Sequence, residues 1–375
     1  MVILIKPSLR KLEKLVFQGA FDNKTILHYT GDMFGIGCKV SSYEAIERIQ
    51  RLKGKQTKHG FILLVPSLRW FEKEGIYIPD RLIPLLKQYW PGNLTVIFKC
   101  EDERFAHIAV NGKVAFRVPD DELLRVFIDI LQEPIISTSV NISSLPPESD
   151  LKRLTTYYAD WFDYAILPGN KNYPYNSQPS TIVEYISSRE EKNQSGFDEL
   201  KCIREGSIPF YAVKKSFEKP TILFVCTANI CRSPIAEKLF NHYASRINLP
   251  YSADSAGLLP GGQSISTASM QLLLERGILE ARDHLSKQIT PEMIQGSYLV
   301  LTMEERQRDF LRMQEPKQVR KIFTLNEYVG EAGDIADPFG ADLDTYRKTL
   351  NIIDDRIQRL IEKLKDTNFI EKDES

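Results

Sequence analysis

Residues 221–240 read TILFVCTANICRSPIAEKLF: an unbroken apolar run, a five-residue loop bounded by Cys226 and Arg232, then a Ser-Pro pair opening a helical pattern. Such an apolar run ending at a turn predicts a strand buried on both faces. Pro234 fits the first turn of a helix, where its missing N–H costs nothing, and Ser233 suits the cap. A helix over 233–246 then carries Ala236, Leu239, Phe240 and Tyr243 on one face. A loop that leaves a buried strand and enters a helix at once turns backbone N–H groups inward. With the helix dipole added, it becomes an anion site. Arg232 can close that site with two parallel donors, which lysine cannot imitate. The same field stabilises a thiolate, bringing a cysteine pKa from about 8.5 into the range of roughly 3.5–7.5. Cys226 is therefore predicted to be a nucleophile aimed at phosphorus. Asn229 suits the left-handed backbone of a reversing loop. Ser233 can donate to the sulfur, and Cys231 can cap Cys226 reversibly as a disulfide under oxidation.

Phosphoryl transfer from an ester also needs an acid for the leaving oxygen. Asp337, held before Pro338, is the candidate; Asp334 competes but lacks the rigid neighbour. Zinc binding by Cys226 and Cys231 wants two more ligands nearby, and no Gly-Lys-Ser/Thr follows to make a nucleotide P-loop. Further along, a helix ending at Gly277, a strand over 297–303, a helix over 304–313, a strand over 321–325 and a final helix alternate. That last helix places Tyr346, Leu350, Ile353, Ile357, Leu360 and Leu364 on one stripe. Strands alternating with helices imply a parallel sheet covered on both faces, with its ligand at the carboxyl ends of the strands.

At 375 residues two domains are expected. The stretch VKKSFEKP, ending at Pro220, is charged and reads as a linker without apolar periodicity. It divides the chain into 1–213 and 219–375. The N-terminal part mixes short apolar strands (GFILLV, LTVIFKC, VAFRV, EPIISTSV) with helices (YEAIERIQRLKG, DELLRVFIDILQ), a second α/β domain. The 49 basic and 50 acidic residues exert no overall pull toward nucleic acid or membrane. Five scattered cysteines suit a reducing compartment. No apolar run reaches the length of a membrane span, so a soluble cytoplasmic protein is expected.

In their order, VCTANICRSPIAE, DSAG (254–257), VLTM (300–303) and DPFG (337–340) resemble the low-molecular-weight protein tyrosine phosphatase family, over 220 to about 366. The resemblance implies a three-layer α/β domain that hydrolyses phosphoproteins without a cofactor. It makes Cys226 the phosphocysteine nucleophile. Arg232, with the loop residues Thr227, Ala228, Asn229, Ile230, Cys231 and Ser233, holds the phosphoryl oxygens. Asp337 is acid and then base for water, and Asn229, Ser233, Ser255 and His284 shape the loop. Ala228 departs from the family's usual glycine. No cysteine follows Cys231, which argues against arsenate reduction. Ile230 and Phe339 would give two apolar walls for a flat phenyl ring, hence phosphotyrosine. Related protein-arginine phosphatases carry threonine at the position of Ile230, though they share Phe339.

In the N-terminal half, Lys53, Lys55, Lys58 and His59 gather charge before a strand, and Ser139 and Asn141 follow another. Taken alone, a lysine run of this kind is usually a solvated face. The series YTGDMFGIGC (29–38), LKGKQTKHGF (52–61), YWPGNLTVIF (89–98), VAFRVPD (114–120), STSVNIS (137–143), PSTIVE (179–184) and IREGSI (203–208) resembles the threonylcarbamoyl-adenylate synthase family of tRNA modification. That implies a concave, positively charged, twisted sheet binding ATP with Mg2+, threonine and bicarbonate, with double-stranded RNA or tRNA as a further partner. Lys53, Lys55, Ser139, Asn141 and Arg204 would lie near the nucleotide. Thr30, His59, Arg117 and Ser180 would lie near threonine. The family's Thr-Asp/Glu-Thr-x-Tyr-Gly reads Thr30-Gly31-Asp32-Met33-Phe34-Gly35 here, and its Lys-x-Arg-Pro reads Lys53-Gly54-Lys55-Gln56. ATP binding with impaired synthesis is the expectation. The rival is a phosphatase carrying a non-catalytic nucleotide- or RNA-binding module.

Overall fold

The two sets of apolar runs build two separate sheets. In the computed structural model, which describes residues 3–5, 8–53, 61–141, 147–168, 178–190 and 197–365, the chain divides into two compact units. One comprises Met1–Pro79 with Tyr89–Tyr211, the other Asp80–Gln88 with Ala212–Ser375. Both are α/β. Among the described residues no helix is long and apolar enough to cross a membrane.

In the second unit four strands pair in parallel in the order Ser252–Gly257, Thr221–Cys226, Leu299–Thr302, Ile322–Thr324. Both faces of Thr221–Cys226 are buried, as its continuous apolar run requires. Ile222 and Phe224 pack with Leu239 and Phe240 of helix Arg232–Arg246 and with Ile353 and Ile357 of helix Leu343–Lys365. Leu223 and Val225 pack with Val300 and Leu311 on the other side. The strand Ser252–Gly257 has almost no apolar signature, because SADSAG lies at the sheet edge.

The linker reading at 213–220 is corrected. Phe210–Glu218 is a helix that buries Val213, Ser216 and Phe217. Val213 and Phe217 are one turn apart, so the stretch is amphipathic, with Lys214, Lys215 and Glu218 on its wet side. Gln88 donates to Ser216 Oγ at 3.1 Å, and Arg81 donates to the Glu218 carbonyl at 2.8 Å, which ties 80–88 to this helix.

In the first unit the described strands form one mixed sheet. Their order is Ile3–Ile5, Tyr164–Ile166, Ile26–Tyr29, Phe34–Lys39, Ile135–Ser139, Ile62–Leu64, Lys113–Arg117, Leu94–Lys99, Thr181–Ile186, Glu199–Arg204. Helices Tyr43–Lys53 and Glu122–Leu131 lie where their apolar periodicity predicts. His28 is fully buried in this sheet, with Nε2 2.9 Å from Ser137 Oγ. Burial pulls its pKa from 6.5 to about 4; the Ile26 carbonyl opposes the shift and the Arg117 charge adds to it. The folded unit thus favours the neutral ring. Its contribution is complete above about pH 6.5 and is lost as pH falls toward 4, a change of about 3 kcal/mol. Urea unfolding of this unit should shift to lower midpoints across that window, and His28→Gln should flatten the dependence. An unchanged slope in the variant contradicts the assignment.

Candidate active site

Cys226 ends its strand, and the helix begins at Arg232, with Cys231 as its N-cap. This is one residue earlier than the sequence suggests and moves Ser233 from the cap into the first turn. There its Oγ lies 3.0 Å from Cys226 Sγ. Asn229 takes the left-handed backbone expected of it, with φ 57°. Its N–H donates to Cys226 Sγ at 3.3 Å, and its Nδ2 donates to Ser233 Oγ at 3.0 Å and Ser255 Oγ at 2.8 Å. Ser233 Oγ accepts from Asn229, and its own proton has two acceptors in reach, Cys226 Sγ at 3.0 Å and the Ala256 carbonyl at 3.5 Å, of which the sulfur is nearer. Ser255 Oγ donates in turn to Glu237 Oε2 at 2.5 Å. His284 Nε2 lies 2.8 Å from the Asn229 carbonyl, which can only accept, so this nitrogen carries the proton. Burial lowers the His284 pKa, with the Asn229 bond partly opposing it. The predicted set Asn229, Ser233, Ser255 and His284 is one buried network. Glu237 belongs to it as well; only its place in the SPIAE run hinted at that.

Arg232 is 1 % exposed. Its Nη1 donates to Glu304 Oε1 at 2.5 Å and the Ile335 carbonyl at 2.8 Å, and its Nη2 donates to Asp337 Oδ2 at 2.6 Å. Its Nε is buried without a partner. Glu304, absent from the sequence reading, also accepts from Arg306, while Gln307 reaches both Glu304 and Thr227 Oγ1. Burial pushes the Glu304 carboxyl up, but hydrogen bonds from Arg306 and Arg232 outweigh it and hold the pKa below its ordinary value. Asp334, the competing acid, accepts from the Glu305 backbone N–H at 2.8 Å, at the start of helix Glu305–Gln314. Cys231 is a free thiol 3.3 Å from the Tyr346 hydroxyl, and burial raises its pKa. Phe339 is exposed, and Ile230 is half-buried against the core.

In the first unit, Lys53 Nζ donates to the Ser139 and Asn141 carbonyls at 2.8 Å each and to Asn141 Oδ1 at 2.6 Å. Burial lowers its pKa to about 8. Arg204 joins Ser180 instead of that group, donating to its carbonyl at 2.8 Å and its Oγ at 3.2 Å. Thr30 and Arg117 meet at the Asp32 carboxylate. Lys55 and His59 lie outside the described residues. Among the described residues no group of three or more His, Cys, Asp or Glu could hold a metal.

The family model "Low molecular weight phosphotyrosine protein phosphatase" matches residues 221–369. A protein-arginine-phosphatase of Bacillus subtilis is 38 % identical over 147 residues, 38 % of this chain and 96 % of the relative. The chain belongs to the low molecular weight phosphotyrosine protein phosphatase family. A low molecular weight protein-tyrosine-phosphatase, PtpB, of Staphylococcus haemolyticus is 40 % identical over 129 residues, 34 % of this chain and 88 % of the relative. A second family model, described as "Telomere recombination" and named for Sua5, YciO and YrdC, matches residues 22–196. The crystal structure of E. coli YciO is 22 % identical, with a TM-score of 0.46 over 55 % of this chain and 96 % of that one. The low molecular weight phosphatase domain is thus fused to an N-terminal Sua5/YciO/YrdC-type domain. Enzymes of the phosphatase family work without a cofactor.

The phosphatase loop leaves no room beneath it. A Cβ on Gly257 would lie 2.9 Å from Asn229 N and 3.0 Å from the Thr227 carbonyl oxygen, so the loop backbone itself would have to move. Gly257→Ala should therefore lower kcat/KM at least about tenfold, since misplacing a catalytic group by about 1 Å can cost roughly 10². Melting of the first unit should stay unchanged. Wild-type turnover in this variant would show that the loop geometry does not govern the rate.

Proposed function

We propose that residues 219–375 hydrolyse phosphotyrosine in proteins through a phosphocysteine on Cys226. The carrying observation is a single sulfur receiving the Asn229 N–H and the Ser233 hydroxyl at a helix start, beside a buried arginine that holds Asp337. The Cys226 thiolate attacks phosphorus, and the bond to the phenolic oxygen breaks. Arg232 and the N–H groups of Thr227, Ala228, Ile230, Cys231 and Ser233 hold the phosphoryl oxygens while the Asn229 N–H stays on the sulfur, and the open Nε of Arg232 supplies one donor already desolvated. Asp337 gives its proton to the leaving oxygen, then takes one from the water that splits the S–P bond and releases inorganic phosphate. Asp337 is better suited than Asp334 because it touches Arg232 and its side chain is 40 % exposed, free to follow the leaving group.

The choice of a phenyl ester rests on Ile230 and Phe339, apolar groups flanking the nucleophile and the acid. Residues 1–213 are a nucleotide-binding domain that takes ATP with Mg2+. Lys53, gathered with Ser139 and Asn141, supplies the charge for the triphosphate. Synthesis from threonine and bicarbonate is slow, because orienting groups at Gly31, Asp32, Phe34 and Lys55 differ from the family pattern. The protein works in the cytoplasm, where its free thiols stay reduced. If residues 1–213 were only a nucleotide- or RNA-binding module, pyrophosphate release would be absent even with all three substrates.

Equal concentrations of phosphotyrosine and phosphoarginine peptides, offered together, test the substrate and the machinery at once. Faster release from the tyrosine peptide is expected, and faster turnover of the arginine peptide would overturn the choice. Cys226→Ser should abolish both activities. Asp337→Ala should lower turnover by roughly 10²–10⁴ on the peptide and less on nitrophenyl phosphate, whose leaving group needs no proton. Wild-type phosphate release by Cys226→Ser would end the assignment.

A further inference from the structure

In the N-terminal unit, Arg117 is 4 % exposed and Asp32 6 % exposed, and the two form a buried ion pair, Nη2 to Oδ1, at 3.1 Å. On the same guanidinium, Nη2 also donates to Asn93 Oδ1 at 2.6 Å and Nε donates to the Gly92 carbonyl at 2.8 Å. Thr30 Oγ1 also donates to Asp32 Oδ1, at 2.7 Å. Arg117 Nη2 and Thr30 Oγ1 thus meet on one carboxylate oxygen, Oδ1. The other, Oδ2, is buried with no hydrogen-bond partner.

Gly31 explains how Asp32 comes to point inward. It has φ +104°, and a Cβ there would lie 2.7 Å from Asp120 Cβ and 3.0 Å from Asp121 N. The turn is closed against that segment by the Asp120 N–H, which donates to the Thr30 carbonyl at 3.1 Å. Only glycine fits such a turn, and the turn delivers the next side chain to Arg117. The glycine and the aspartate are therefore one structural change.

We propose that Asp32 is a specificity-determining residue: it stands where a ligand carboxylate would meet Arg117, closes this pocket to carboxylate-bearing amino acids, and leaves Oδ2 as an acceptor for an ammonium or other N–H donor. The inference rests on the reading of Thr30, Arg117 and Ser180 as a small-molecule site. A ligand carboxylate brought to Arg117 would share one guanidinium with Asp32 in a desolvated setting, where like charges repel strongly and salt screens little. A ligand that supplies an N–H donor instead relieves the unmatched oxygen, whose burial without a partner is unfavourable. Exclusion of this kind works by an added repulsive group, not by a lost attractive one.

The test uses calorimetry on the full chain with L-threonine and with L-threoninol, which keeps the ammonium and hydroxyl but has no carboxylate. The unmodified chain should bind threoninol at least about tenfold more tightly than threonine, and Asp32→Asn should reverse the order. Threonine binding as tightly as threoninol to the unmodified chain overturns the proposal. So does absence of binding by either ligand, or an unchanged order in folded Asp32→Asn. If Asp32→Asn fails to fold, the order on the unmodified chain decides. A parallel ATP titration separates the two readings. Loss of ATP binding with threoninol still preferred sinks only the nucleotide reading; ATP binding with threonine preferred sinks only this one.

Discussion

Asn229 uses its backbone N–H on Cys226 Sγ, its side-chain amide on Ser233 and Ser255, and its carbonyl on His284, all while holding a left-handed φ. Its Oδ1 also takes the Lys287 N–H at 3.0 Å. A non-glycine residue in that backbone region costs free energy that asparagine minimises and that surrounding bonds must offset. Here every polar atom of the side chain is engaged, so the turn has no alternative geometry to relax into. The direction of the bonds matters as much as their number. Glu237 accepts from Ser255, which accepts from Asn229, which donates to Ser233, whose remaining proton faces the sulfur. Each hydroxyl is thereby given one direction: Ser255 donates its proton to Glu237 and accepts from Asn229, while Ser233 accepts from Asn229 and keeps its proton for the sulfur side.

Arg232 poses the complementary problem, a cation buried almost completely. A buried charge is tolerated only when paired and hydrogen-bonded. Two carboxylates answer it, and their surroundings divide the work. Glu304 is buried, clamped by Arg232 and Arg306 and held ionised by them, so it is a permanent counter-ion that aims the guanidinium. Asp337 is more exposed and sits before a proline in a loop, and in the proposed mechanism it exchanges its contact with Arg232 for one with a substrate oxygen. The N-terminal unit uses a buried arginine differently. Arg117 is met by Asp32, Asn93 and Gly92, and the unmatched atom belongs to the carboxylate instead of the guanidinium.

Most of the phosphatase fold was legible because its strands are continuous apolar runs and its helices have clean stripes, as in Thr221–Cys226 and Leu343–Lys365. The loop was legible because asparagine, serine-proline and cysteine each have a restricted set of physical uses at a strand-to-helix turn. Glu304 before helix Glu305–Gln314, Gln307 on it and Glu237 on helix Arg232–Arg246 were not, since charged or amide side chains in a helical pattern look like solvated surface until folding buries them. The strand Ser252–Gly257 escaped notice because small residues at a sheet edge carry no alternation. Phe210–Glu218 reads as a linker in sequence because, among its charges, VKKSFEKP holds only two apolar residues, Val213 and Phe217, too few to show a period. In the N-terminal half Gly31 and Asp32 stood out as departures, but that Asp32 turns inward onto Arg117 depends on residues far away in sequence, at 93 and 117.

The central claim is that the loop makes Cys226 a phosphorus nucleophile with Asp337 releasing the intermediate. Acid quenching of the full chain milliseconds after mixing with a phosphotyrosine peptide, followed by mass spectrometry of the fragment holding residues 221–232, tests it directly. A mass increase of one phosphate on Cys226 is predicted, more abundant in Asp337→Asn and a nitrophenyl phosphate reaction, where the second step is slowed. Phosphate carried on any other residue, or turnover with no phosphorylated enzyme at any quench time, contradicts the account.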